Sequence, residues 1–164
     1  MIKEKASCLL IIDVQHGFIN ESTKHIPLLV EMEQEHYEYI IVTQFVNPEG
    51  SLYRKLMKWN RFAPDSADIK LAFMPKKGAL IIEKHIYSCI NDKVLKWIQD
   101  RGLDTIYLCG LDTDFCVAKC AVDLFENGIE PVVIERLCAS HSGTQYHNYA
   151  IKALKRFIGL EQIR

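Results

Sequence analysis

The chain has 164 residues, six cysteines and a formal net charge of −1 with its six histidines neutral. That length favours one domain, spanning 1–164, able to bury roughly 70% of its unfolded surface without a disulfide or metal staple. The balanced charge argues against a nucleic-acid partner, and no run approaches the ~18 apolar residues of a membrane span, which argues against a membrane partner.

The N-terminal "MIKEKASCLLIIDV" is charged and then briefly apolar. Its apolar run is short for a secretory signal, and Asp13 and Gln15 follow it without a small-residue cleavage site. The expected location is cytoplasmic, where the widely spaced cysteines stay reduced as small buried side chains.

The first apolar run, "CLLIID" (8–13), predicts a strand, and "KHIPLLVEMEQEHYEY" after it has helical spacing at Ile26, Leu29, Val30 and Met32. "YIIVTQF" (39–45) predicts a second strand. Residues 46–78 are irregular, with Pro48, Gly50, Pro64, Pro75 and Gly78 around a helical "SLYRKLMKWNRF"; they predict a long excursion at one sheet edge. "ALIIEK" (79–84) is the third strand. "NDKVLKWIQDRG" follows as a helix capped by Asn91, apolar at Val94, Leu95 and Ile98, and stopped at Gly102. "TIYLCG" (105–110), a helix "FCVAKCAVDLFENG", "PVVIER" (131–136) and a helix "QYHNYAIKALKRFIG" complete the alternation, with "GLEQIR" a candidate sixth strand. Short, continuously apolar runs are strands buried on both faces. Alternating with helices, they predict a three-layer α/β/α sandwich with a five- or six-stranded, mainly parallel sheet.

Open parallel sheets bind ligands beyond the carboxyl ends of their strands. Those ends carry Asp13, Gln15 and Phe18; Thr43 and Gln44; Glu83, Lys84 and His85; Asp112, Thr113, Asp114 and Cys116; and Glu135, Arg136 and then "SHSG". Asp13, Lys84 and Cys116 thus share one edge, and a carboxylate, an ammonium and a thiol there suit a nucleophilic site. Each also has a plain structural reading, as a turn aspartate, a solvated lysine and a buried helix cysteine. Lowering a thiol pKa of about 8.5 by two units takes about 2.7 kcal/mol, whereas a helix N-terminus supplies about 0.3–1, or 2 when partly buried. Asp112 and Asp114 would oppose even that. A reactive Cys116 therefore needs a nearby cation or base, which Lys84 and Asp13 could supply.

Cys116 and Cys120 lie four apart and, with Cys109, match no common zinc spacing. A thiol redox sensor and a non-catalytic small-molecule-binding protein stand as alternatives. His16, His85 and His141 lie near the same edge, as substrate contacts or as surface residues. Phe18, Tyr53, Trp59 and Phe62 are candidates for pocket wall or core. No glycine-rich phosphate loop follows any strand, so no nucleotide cofactor is expected.

Three motifs in order, "LLIIDVQHGF", "IIEKHIYS" and "LCGLDTDFCVAKCAVDLFENG", resemble those of the isochorismatase-like cysteine hydrolases, a superfamily that includes nicotinamidases and N-carbamoyl amidohydrolases. The resemblance runs from about Leu9 to Gly159. It implies Cys116 as nucleophile, Asp13 as general base and Lys84 as the cation beside them. It also implies a cis peptide at Leu111–Asp112, an oxyanion hole from the amides of Asp112 and Cys116, and Phe18 as a substrate contact. Nicotinamidases carry an Asp-x-His metal pair after the second strand, where this chain has "VTQFVNPEG". Gln44, Phe45 and Val46 cannot supply those ligands, so no metal of that type and no other cofactor is expected. Gln44 and Asn47 are then candidates to hydrogen-bond a substrate instead. Since isochorismatases that cleave a vinyl ether lack the cysteine, its presence points to C–N hydrolysis of a small amide or ureido substrate through a thioester. The resemblance also implies a homodimer or homotetramer.

Overall fold

A computed structural model describes residues 7–164; the charged start of the chain, 1–6, lies outside the described residues. Five strands form one sheet in the order β3-β2-β1-β4-β5, every neighbour parallel. They are β1 (Cys8–Ile12), β2 (Tyr39–Phe45), β3 (Leu80–Lys84), β4 (Thr105–Leu111) and β5 (Glu130–Ala139). β1 is central and wholly buried, as its unbroken apolar sequence requires. The helices are α1 (Ile26–Glu33), α2 (Leu52–Lys55), α3 (Asp92–Gln99), α4 (Ala118–Glu126) and α5 (Thr144–Phe157). Asn91 caps α3 as expected, its Oδ1 accepting from the amides of Lys93 and Val94. This is the α/β sandwich anticipated from the alternating pattern.

Four details depart from expectation. β5 does not end at Arg136. Its register with β4 breaks between Leu108↔Val133 and Gly110↔Cys138, so a bulge absorbs Glu135 and Arg136 and the strand resumes to Ala139. The strand therefore delivers Ser140, His141 and Ser142 to the carboxyl edge, not Glu135 and Arg136. No sixth strand forms from "GLEQIR": Leu160–Gln162 is a 3-10 turn, followed by a single parallel bridge of Ile163 to Val133. The bulge uses that chain end, since Glu135 N donates to Arg164 O at 2.6 Å and Arg164 N to Val133 O at 2.9 Å.

The helical stretch expected around Leu52–Phe62 is only one turn, α2, because the backbone turns left-handed at Lys58 and Phe62. The loop around it does not stay at the sheet edge. It crosses the carboxyl ends of β1 and β2, where Gln15 bridges antiparallel to Leu71 and His16 N donates to Lys70 O. Buried amides hold it there. Gln15 Nε2 donates to Phe45 O and Ile69 O, and its Oε1 accepts from Phe45 N. These side chains satisfy backbone groups that no ladder or helix reaches.

Gly110 shows how closely β4 approaches β1. Its φ is +118°, and a Cβ built there would lie 2.1 Å from Ile12 O. Gly110→Ala combines backbone strain with overpacking, so it should cost about 3 kcal/mol or more. Urea denaturation should show the midpoint falling with an unchanged slope.

Candidate active site

Three strand ends and the turn before α4 converge on one buried point. Asp13 follows β1 with a left-handed φ of 49°. That turn lets its own amide donate to Thr43 Oγ1 at 3.1 Å while Thr43 Oγ1 donates to Asp13 Oδ1 at 2.6 Å. Lys84 is the last residue of β3. Its Nζ donates to Asp13 Oδ2 at 2.6 Å, to Ile86 O at 3.0 Å and to Cys116 Sγ at 3.4 Å. All three ammonium protons are thereby directed. Phe45 lays its ring 5.2 Å from the same Nζ. Asp13 is fully buried, and Lys84 and Cys116 are each 5% exposed.

Cys116 lies in a wide π-type turn, Thr113–Val117, that leads into α4. The Leu111–Asp112 peptide before it is cis, as the resemblance implied. Burial pushes the Cys116 thiol well up, the Asp13 carboxylate adds to that, and Lys84 pulls the other way. For Lys84, burial alone would lower the pKa, but Asp13 and the neighbouring thiols outweigh it and the net shift is upward. The cationic and acidic side chains sought from sequence both stand beside the thiol, whose pKa the site as a whole shifts up.

Cys116 opens into a cavity of about 240 Å³. Phe18, Phe45, Tyr53 and Trp59 line one side, Phe18 and Trp59 stacked at 6.1 Å between ring centres. Tyr87 and Phe115 line another, stacked at 5.6 Å. Phe62, considered for the wall, is instead buried behind Phe18 at 4.2 Å. Phe18 is thus in the cavity, as expected. Gln44 and Asn47 are not. Gln44 Nε2 donates to Ile69 O at 2.6 Å. Asn47 Nδ2 donates to Trp59 O and Arg61 O, and its Oδ1 accepts from Ser51 Oγ. Both amides help hold the loop, which needs partners for its irregular backbone, and neither lines this cavity.

One contribution escaped the sequence reading, and one candidate histidine reaches the cavity. Asp112 was expected to act only through its amide, but its carboxylate is buried and accepts from His141 N at 2.8 Å and from the His141 ring at Nδ1. His141 itself lines the cavity. Of the three edge histidines weighed from sequence, it is the one that reaches this cavity. His85 instead sits half-exposed beside Glu83, with Nδ1 against Val46 O, and His16 is exposed.

The nicotinamidase-type metal site does not fit this chain. Phe45 presents its ring to Lys84, Gln44 is committed to the loop, and among the described residues no three His, Cys, Asp or Glu side chains are grouped to hold an ion. Cys120 Sγ lies 3.9 Å from Cys89 Sγ. Among the described residues, no helix is long and apolar enough to cross a membrane.

A family model, the isochorismatase domain, matches residues 7–162. Isochorismatase family protein 2A of Dictyostelium discoideum is 22% identical over 160 residues, covering 94% of this chain and 76% of that protein. An isochorismatase-like hydrolase from Alkaliphilus metalliredigens superposes with a TM-score of 0.81 at 18% identity, covering 93% of this chain and 92% of the other. The pyrazinamidase/nicotinamidase of Streptococcus mutans superposes at 0.79 and 20% identity, covering 97% and 100%. With a match across nearly its whole length and the same fold in these structures, the chain belongs to the isochorismatase family of hydrolases.

Proposed function

We propose that this hydrolase cleaves a C–N bond of a small amide or ureido substrate, using Cys116 as nucleophile and no metal. The observation that carries the reading is the single ammonium of Lys84, 2.6 Å from Asp13 Oδ2 and 3.4 Å from Cys116 Sγ, where the thiol meets an aromatic cavity.

The substrate carbonyl lies over Cys116 Sγ. The thiol proton passes to Asp13 as the S–C bond forms, and the carbonyl electron pair moves to oxygen. The amides of Asp112 and Cys116 stabilise that oxyanion. Collapse restores the C=O and breaks the C–N bond, and Asp13 returns the proton to the departing amine. A thioester remains on Cys116. Water then attacks it, giving a proton to Asp13; the S–C bond breaks, and the proton returns to sulfur. Lys84 keeps its charge throughout and stabilises whichever neighbour is anionic. This division of labour agrees with a thiol whose resting pKa is high: the nucleophile is made at the moment of attack, and no thiolate is stored.

Turnover of a panel of small primary amides and ureides, read as ammonia release, tests the reading. At least one member should be hydrolysed, with the rate unchanged by a chelator and abolished by alkylation of Cys116. Undiminished hydrolysis by protein alkylated at Cys116 would end the proposal.

Thr43 offers a milder test. Thr43→Val removes the hydroxyl that fixes Asp13 Oδ1. Losing both of its bonds to Asp13, one given to Oδ1 and one accepted from the amide, should lower kcat about tenfold or more with little change in KM.

A further inference from the structure

The cavity lining is of two unlike kinds. Phe18, Phe45, Tyr53 and Trp59 present flat apolar surface, whereas His141 and Ser142, beyond the end of β5, bring polar groups. His141 is oriented rather than free. Its backbone amide and its Nδ1 both bond the Asp112 carboxylate, and Phe18 packs on its ring at 5.4 Å between centres. With Nδ1 committed, Nε2 is the nitrogen left to a ligand, and among the described residues no protein group bonds it. Asp112 is 2% exposed, so a buried carboxylate backs an imidazole whose ring lines the cavity. In the neutral ring Nε2 would present a lone pair, but with the ring protonated the pair is positive on the imidazole side and Nε2–H donates to an electron-rich substrate atom.

We infer that His141, held by Asp112, is a specificity-determining donor, and that the substrate is a small flat amide or ureide carrying a carboxylate or similar acceptor away from the scissile bond. The apolar body would lie against the aromatic side chains and the acceptor would meet His141. This rests on the reading of Cys116 as nucleophile. Other charged groups act on His141. Asp112 and Asp114 from the turn before α4 hold its pKa above the ordinary value, Asp112 chiefly through its hydrogen bond, while burial and Arg61 from the long loop pull it down. Arg61 is itself paired with Asp68.

Aldehydes provide probes that need no known substrate. An aldehyde adds to Cys116 when sulfur bonds the carbonyl carbon and the thiol proton moves to the carbonyl oxygen, giving a reversible thiohemiacetal. Benzaldehyde and the 3- and 4-formylbenzoates share a flat body and differ by the carboxylate. Protection of Cys116 from iodoacetamide, mapped by peptide mass spectrometry, gives the affinity of each. At pH 6, at least one formylbenzoate should protect at about tenfold lower concentration than benzaldehyde. In His141→Phe the ratio should fall to about one, and in His141→Gln it should lie between. The ratio in the unaltered protein should also shrink as pH rises through the His141 pKa, because the imidazolium is lost while the thiol is common to both probes. That measurement stands even if a variant folds poorly. A ratio that is unmoved by His141→Phe and by pH would overturn this inference alone. If no aldehyde protects Cys116, the nucleophile reading fails and this inference fails with it.

Discussion

Replacing Cys116 with alanine should lower turnover of any amide substrate by about 10⁴-fold or more, the scale on which a covalent nucleophile is lost. The fold should survive. Cys116 behaves structurally as a small, nearly buried apolar side chain, and Cys116→Ala leaves Lys84 with its two stronger acceptors, Asp13 and Ile86 O. Cys116→Ser should be nearly as inactive, since a hydroxyl is a poorer nucleophile than sulfur and far harder to deprotonate. The check is kcat/KM alongside the thermal midpoint: activity should vanish while the midpoint moves by only a few degrees.

Asp13→Asn should fail in two ways. Loss of the proton acceptor should lower kcat by about 10²–10⁴-fold. Loss of the carboxylate also strands the Lys84 ammonium in a site where it is 5% exposed, and breaking a buried pair on one side costs about 3–5 kcal/mol. The two effects separate in the double variant Asp13→Asn with Lys84→Met, which removes the stranded charge. Stability should recover substantially while activity does not. The pH dependence gives a second separation. In the unaltered protein the Lys84 pKa is raised, chiefly by Asp13 against burial. Its contribution to stability is therefore fully present below the unfolded-state value near 10.4 and is lost only as pH climbs through the higher folded value. In Asp13→Asn, burial acts without its counterweight and the folded pKa falls below the unfolded one. The unfolded chain then binds more protons, and stability should rise with pH instead. Denaturation midpoints at pH 7 and pH 9.5 should move in that direction for Asp13→Asn.

What the sequence conveyed well was whatever is written in continuous burial. β1 is apolar at every position because a parallel sheet buries both its faces, and that marks where its polar end begins. Asp13, Lys84 and Cys116 were legible as strand-end chemistry for that reason, and the motif resemblance linked them. Residues 46–78 were opaque because their structure rests on side-chain amides bonding backbone, a pattern without period. Gln15 and Asn47 do there what a ladder does elsewhere. An amide is equally fit to bind a substrate or to hold a loop, so location and residue type could not show that Gln44 and Asn47 bond the loop. His141 was named from its nearness to the edge alone; the bulge in β5, which carries the strand beyond Glu135 and Arg136, is what brings it to the site. The role of the Asp112 carboxylate depended on that bulge, since its partner comes from the end of β5.

In the proposed mechanism Cys116 carries the acyl group between the two halves of the reaction. Acid quenching during turnover of a responsive amide, followed by peptide mass mapping, tests it directly. The peptide containing Cys116 should gain the mass of the acyl portion and lose it on treatment with hydroxylamine. Acyl mass on a different residue, or full turnover with no acylated peptide at any quench time, would contradict it.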